Sequence, residues 1–362
     1  WQAGTNPCGG ILFEDDGKTV VSVRYRAFGF VDSATGEESR PSAFAPGLWL
    51  NKFANFHNGK RLLSDKNQLA TVSQGRVAIW DLNSGRPTGP AGQILGAIRH
   101  LSFSPDGRSL TTFADRAFEA QVWNAETGEP GPRLEPQAKT EAIRYPYGIG
   151  WNGEQPVTLT HGGKGTVVIR WDRKTGKVAE TIEMPNEARV VSTYNGMAPF
   201  DATASGAVAV GSNDKVVVRS AAGKTINVSV EGRVQRVALS SDARTLLAVS
   251  WSNAGGPNVP IAQVWSVDAE KPRELNRPRF ESYMPWANAL SADGRWVATV
   301  SRERSVMLTE TYSGGAGLSF PFKDDLHSLA FSADGRLLAG GDIRGTVTVW
   351  DLLAGEEVQQ FK

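Results

Sequence analysis

The stretch Ser328-Leu-Ala-Phe-Ser-Ala-Asp-Gly-Arg-Leu-Leu338, followed by Gly345-Thr-Val-Thr-Val-Trp-Asp-Leu-Leu-Ala-Gly355, decides the fold of this chain. Val347-Thr348-Val349-Trp350 alternates with period two, the pattern of a half-buried strand. Asp334-Gly335 and the later Gly355 supply the positive-φ positions that tight turns need. The whole reads as strand, turn, strand, turn, strand, turn. A near-identical passage stands far upstream: His100-Leu-Ser-Phe-Ser-Pro-Asp-Gly-Arg-Ser-Leu110, then Glu119-Ala-Gln-Val-Trp-Asn-Ala-Glu-Thr-Gly128. Working outward, tryptophan recurs in this setting at Trp80, Trp123, Trp171, Trp265 and Trp350. The intervals are about 43, 48, 94 and 85 residues, two single and two doubled periods of one repeat.

Aligning on the turn Asp and on the Trp position about 16 residues later gives eight copies. The turn position holds Asp16, Asp65, Asp106, Asn152, Ser205, Asp242, Asp293 and Asp334. The Trp position holds Val31, Trp80, Trp123, Trp171, Arg219, Trp265, Thr309 and Trp350. A closing glycine follows at Gly36, Gly85, Gly128, Gly176, Gly223, Gly314 and Gly355; the sixth copy has Val267-Asp268-Ala269 instead. The copies at Val31, Arg219 and Thr309 rest on spacing and flanking strands. A mean period of about 45 residues matches propeller blades. The expected fold is all-β: one eight-bladed propeller of four-stranded antiparallel blades spanning 1–362, with 1–9 as a tail and seven blades as the alternative count.

The phrase Phe-Ser-Pro-Asp-Gly-Arg, then Val-Trp-Asp and a Thr-Gly turn, resembles the WD-repeat β-propeller family over nearly the whole chain. The family's Gly-His pair ahead of the first strand is absent. The resemblance therefore implies that the buried Asp-His-Ser-Trp hydrogen-bond tetrad is largely missing, and that the chain is a divergent, prokaryotic-type member.

Composition bounds the function. A formal net charge of +1 argues against a dedicated nucleic-acid binder, which shows a strong basic excess. No stretch approaches the roughly 20 apolar residues that cross a bilayer as a helix. The single Cys8 excludes an internal disulfide and a cysteine metal cage. The chain opens on Trp1, so either a leader has been removed or the chain is cut from a longer protein; the second is expected, with a cytoplasmic location. The one sequon, Asn227-Val228-Ser229, is a three-residue pattern expected by chance.

No catalytic constellation emerges. His57, His100, His161 and His327 are not paired at metal-ligand spacing. Gly162-Gly163-Lys164-Gly165 precedes the strand-like Thr166-Val-Val-Ile-Arg-Trp171, whereas a phosphate loop must precede a helix, so these glycines read as a hairpin turn. Asp15-Asp16 and Asp324-Asp325 read as turn and surface residues, and the strand tryptophans as anchors between blades. Neither a cofactor nor a metal is expected.

The resemblance places the loops before each first strand, and those between second and third strands, on one face around the channel. Residues there include Arg144-Tyr145-Pro146-Tyr147 and Tyr283-Met284-Pro285-Trp286. Arg99, Arg233, Arg302 and Arg344 stand in related loops, and the sixth blade carries an insertion from Trp251 to Pro260. Tyr, Trp and Arg are enriched at interface hot spots, so Tyr145, Tyr147, Tyr283, Trp286, Trp251, Arg99, Arg233, Arg302 and Arg344 form the candidate partner site. Tyr147 and Trp286 also fit as plugs between blades. The expected function is a non-catalytic protein-interaction platform, a monomeric sensor or docking module of a larger protein. Small-ligand or glycan binding in the channel, or a channel enzyme, are the alternatives. Glu356-Glu-Val-Gln-Gln-Phe361 looks like the last blade's own outer strand. The ring is therefore expected to close by packing, without interlocked strands.

Overall fold

The computed structural model describes residues 10–13, 18–24, 27–44, 63–64, 68–73, 76–81, 86–88, 92–93, 98–104, 106, 108–114, 119–134, 144–162, 165–185, 198–252, 259–268, 271–278, 287–301, 303–313, 316–332, 334–342 and 346–361. They form eight antiparallel sheets, each continuous in sequence. Blade one comprises Gly10–Phe13, Thr19–Arg24, Ala27–Asp32 and Glu38–Phe44. Blade two comprises Leu63–Ser64, Gln68–Ser73, Arg76–Asp81 and an outer strand in two pieces, Arg86–Pro87 and Gly92–Gln93. Blade three has Ile98–Phe103, Ser109–Ala114, Glu119–Asn124 and Pro130–Arg133; blade four has Arg144–Asn152, Gln155–Gly162, Gly165–Trp171 and Val178–Glu183. Blade five has Phe200–Ala202, Val208–Gly211, Lys215–Arg219 and Thr225–Ser229; blade six has Arg233–Leu239, Thr245–Ser252, Val259–Ser266 and Arg273–Asn276. Blade seven has Asn288–Leu290, Trp296–Val300, Ser305–Glu310 and Ala316–Pro321; blade eight has Leu326–Phe331, Leu337–Asp342, Val347–Asp351 and Glu356–Phe361. First strands of neighbouring blades lie against one another, which makes them the innermost strands of the ring.

The alternation read in the sequence becomes a two-faced blade. Val347 and Val349 pack with Ile11, Phe13 and Val20 of blade one, while Trp350 points the other way onto Leu308, Phe320 and Ala298 of blade seven. Trp350 is fully buried and stacks on Phe320 at 5.7 Å between ring centroids. Trp123, Trp171 and Trp265 likewise face the preceding blade. Among the described residues an apolar cluster straddles every blade boundary but that of blades one and two. Each buried Leu, Val or Phe contributes about 1.5–3 kcal/mol, so the boundaries dominate stability.

The ring closes as the sequence implies. Glu356–Phe361 pairs with Val347–Asp351 as the blade's own outer strand, so that edge is filled from within blade eight. Closure rests on side chains: a Cβ added to Gly341 would crowd Ile11 Cδ1, so a larger residue there would force the Ile11 side chain to move. The Trp register is the same in the degenerate copies. Val31 pairs with Val20, Arg219 with Val208 and Thr309 with Val297, as Trp350 pairs with Leu338.

Short polar side chains fix the turns. Ser104, Ser240, Ser291 and Ser332 donate to Asp106, Asp242, Asp293 and Asp334 at 2.5–2.6 Å. The same hydroxyls accept the N–H that opens the second strand at 2.8–2.9 Å. Asn152 departs from its expected place. Blade four makes a two-residue turn at Gly153-Glu154, so Asn152 stands where Ser104 does and its amide donates to the Gly206 carbonyl of blade five at 2.6 Å. At the next turn Asp32, Asn124, Asp172 and Asp351 each accept two backbone N–H groups through Oδ1. The glycines that follow have φ between 69° and 74°. The Asp of the Trp-Asp pair is thus a turn cap.

Of the tetrad expected to be largely missing, only the Trp end is present among the described residues, in two blades. The indole N–H of Trp123 donates to Thr112, and that of Trp171 to Thr158, both at 2.9 Å. Ala248 and Gly340 occupy the matching position in blades six and eight, and there the indole N–H of Trp265 and Trp350 has no hydrogen-bond partner. Thr112→Val leaves the Trp123 N–H buried and unpaired at a cost of about 1–3 kcal/mol, read as a lower urea midpoint; an unchanged midpoint would show the bond to be idle.

A second outcome concerns acid. Burial raises the pKa of Asp106, but the Arg173 guanidinium at 2.7 Å, the Ser104 hydroxyl and the Arg108 N–H outweigh it and hold the carboxyl at about 2. This carboxylate therefore stabilises the fold above its unfolded pKa near 4 and loses that contribution as pH falls toward the folded value. For a partly exposed pair the contribution is about 1–2 kcal/mol. Asp106→Asn lowers the melting temperature at pH 6 and flattens its fall between pH 4 and 2. Parallel melting curves for variant and wild type would remove the pair from the stability account.

Candidate functional site: the loop face of the ring

The Asp-Gly and Thr-Gly turns lie at one end of the ring, the turn face. The starts of the innermost strands and the loops between second and third strands lie at the other, the loop face. There four innermost strands carry a bulge at the same level. In blade three Ile98 pairs with Ala114 and His100 with Phe113, so Arg99 is the extra residue. In blade six the extra residue is Gln235, and in blade eight His327. Blade four has the largest bulge: Arg144 pairs with His161 and Gly148 with Leu159, so Tyr145-Pro146-Tyr147 spans the length of Thr160. A bulge frees backbone groups from the ladder and re-aims its side chain, which is why bulges gather at rims and next to functional sites.

The expected site residues divide into three groups. Arg99, Tyr145 and Tyr147 have their backbones placed in these bulges. Arg233 and Trp251 are direct cross-strand partners at the loop end of blade six, Arg233 exposed and Trp251 half-buried. Tyr283, Trp286, Arg302 and Arg344 lie outside the described residues. Gln235 and His327 were missed. A signal for them existed: Val234 and Val237, Leu326 and Leu329, and Ile98 and Leu101 are apolar at a spacing of three, one more than an unbroken strand allows.

Beside Trp251 an ionic knot ties loop to strand. Arg277 binds Glu231 at 2.6 Å and also Glu274, whose hydrogen bonds raise the guanidinium pKa, followed by those of Glu231. The Glu231 N–H donates to Gln263 Oε1 at 2.7 Å, and Gln263 reaches Glu274 at 3.2 Å. Gly232, at φ 81°, follows; a Cβ there would stand 2.2 Å from the Trp251 carbonyl oxygen. The insertion of blade six extends a hairpin, with Trp251 opposite Pro260 and Ser252 opposite Val259.

Deeper in the ring a charge crosses three blades. Arg236, on the innermost strand of blade six, donates to the Asn288 carbonyl of blade seven at 2.9 Å. Burial pulls its pKa down to about 10, and Asp201 of blade five opposes that shift. Asp201 is buried and accepts the Leu239 N–H of blade six at 2.8 Å. The arrangement links blades rather than assembling a nucleophile and a base. Among the described residues no three His, Cys, Asp or Glu side chains are grouped to hold a metal, and no helix is long and apolar enough to cross a membrane. Asp201→Asn keeps the hydrogen bond to Leu239 but removes a carboxylate that favours the charged guanidinium. A lower midpoint in chemical denaturation follows; an unchanged midpoint would show that Asp201 does not balance Arg236.

The profile of the WD domain, G-beta repeat family matches residues 319–351, from the outer strand of blade seven through the third strand of blade eight. The crystal structure of the computationally designed Ika8 protein is similar over 97% of this chain and 98% of its own, with a TM-score of 0.64 and 16% identity. KlHsv2 with loop 6CD replaced by a Gly-Ser linker is similar over 96% of this chain and 93% of its own, with a TM-score of 0.52 and 14% identity. No curated protein matches the chain in sequence.

Proposed function

We propose that this eight-bladed propeller, which carries a WD repeat at residues 319–351, is a non-catalytic platform that grips a protein or peptide on its loop face. Repeats of this family generally mediate protein–protein interaction, which supports the class of function. The observation that carries the reading is the set of bulges. They place Arg99 and Tyr145–Tyr147 at the mouth of the ring, in blades next to each other, where the strand ladder no longer constrains them. Arg233 beside Trp251 adds a cation and an aromatic surface on blade six. The remaining aromatics of the site, Tyr283 and Trp286, come from the connection between blades six and seven. In this reading the chain serves as the docking or sensor module of a larger cytoplasmic protein.

The test uses photo-crosslinking amino acids at Tyr145 and Arg233 on the loop face and at Ser205 on the turn face. A partner other than a second copy of this chain is captured from the first two positions and not from the third. Tyr145→Ala and Trp251→Ala each weaken that partner by about 2 kcal/mol, roughly thirtyfold, without lowering the melting temperature. Equal capture of that same partner from Ser205, or variants that melt early and bind normally, would sink the assignment.

A further inference from the structure

The turn face carries one charged residue at the same register position in seven blades, in six of them directly after the closing glycine. Glu37, Glu129, Lys177 and Lys224 each accept, through the carbonyl, the N–H that closes the turn, and Glu356 pairs with Asp351 in the same register. All five side chains are exposed. Arg86 takes the position in blade two, opposite Asp81, and the exposed Arg273 takes it in blade six, opposite Ser266. Blade by blade the signs are therefore negative, positive, negative, positive, positive, positive, then none in blade seven, and negative in blade eight. The chain as a whole is almost neutral at +1, yet this one face is strongly patterned.

In blades one to five and eight the pattern is antisymmetric about one line, and Arg273 of blade six comes over the uncharged position of blade seven. Take an axis in the plane of the turn face, passing between blades six and seven and between blades two and three. Rotation by half a turn brings blade eight over blade five, blade one over blade four, and blade two over blade three. Glu356 then meets Lys224, Glu37 meets Lys177, and Arg86 meets Glu129. No like charges at this position meet. We propose that two copies of this chain associate turn face to turn face about this axis. Such an interface is isologous, so each of the three pairs forms twice.

Apolar side chains agree with the same axis. Leu353 on the closing turn of blade eight is 83% exposed, the most exposed large apolar residue described. The axis sets it over Ala221-Ala222, the exposed tip of the blade five turn. Tyr312 of blade seven, 56% exposed, is set over blade six. The turns that carry the charges are held in place. Gln359 of blade eight fills the space beside Gly36 of blade one, and Asn152 of blade four bonds Gly206 of blade five. Exposed ion pairs are individually weak and screened by salt, so the association is salt-sensitive. It leaves both loop faces pointing outward.

Sedimentation velocity on the whole chain tests this. At about 100 µM, where a micromolar Kd populates the dimer, the wild type sediments as a dimer in about 0.05 M salt and as a monomer in about 0.5 M. The double variant Glu37→Lys with Glu356→Lys is monomeric at both, as is Lys177→Glu with Lys224→Glu. An equimolar mixture of the two variants restores the dimer at low salt, because each now offers the sign the other needs. Circular dichroism melts keep the variants comparable, since every substitution is at an exposed turn. A wild type that stays monomeric at low salt, variants that still dimerise, or a mixture that remains monomeric would each overturn the proposal.

Discussion

A blade of this protein is apolar on both faces, and no blade can cover itself. Val349 needs blade one and Trp350 needs blade seven, from adjacent positions on one strand. This requirement leaves an unclosed row with a bare apolar face at each end, and closure into a ring covers both. Hydrogen bonds hold each sheet together internally, but across boundaries the chain relies on packing, supplemented by a few bonds such as Trp151 to the Ser102 carbonyl at 2.9 Å. The turns matter because they set where each face begins. The Ser-to-Asp bond, with the Asx cap one turn later, fixes strand length and so keeps the apolar positions of neighbouring blades in register.

Much of this was legible in the residues. The period, the eight registers and the self-contained last blade all follow from alternation and turn chemistry, which act over a few residues. Even Val31, Arg219 and Thr309 could be placed, because spacing survives where the tryptophan does not. Asn152 was misplaced because it was aligned with the turn Asp, although it stands as far ahead of Trp171 as Ser104 stands ahead of Trp123 and a two-residue turn follows it. The Trp–Thr bonds were overlooked because Thr112 and Thr158 lie one strand away from their indoles, and cross-strand pairing shows only once register is known.

The candidate site was read from residue type more than from position. Arg99, Tyr145 and Tyr147 were singled out for residue type, and their bulges supply a physical reason for their placement. Gln235 and His327 share that placement but lack a hot-spot composition, so residue type alone passed over them. The patterned turn face is hidden for a different reason. Its charges are about one repeat apart in the chain, and their signs cancel in any count of composition.

The closure of the ring has a consequence for how the molecule fails. Seven boundaries are bridged by the chain itself, whereas among the described residues blades one and eight meet through packing such as Ile11 against Gly341. If that seam parts, one end of the opened row bares Ile11, Phe13 and Val20, and the other bares Ala339, Val347 and Val349. The two surfaces are complementary, and they now belong to opposite ends of a flexible strip. Joined between molecules, they make a head-to-tail contact that need not return on itself. The feature that completes a discrete ring is thus also the one from which an open-ended polymer could grow.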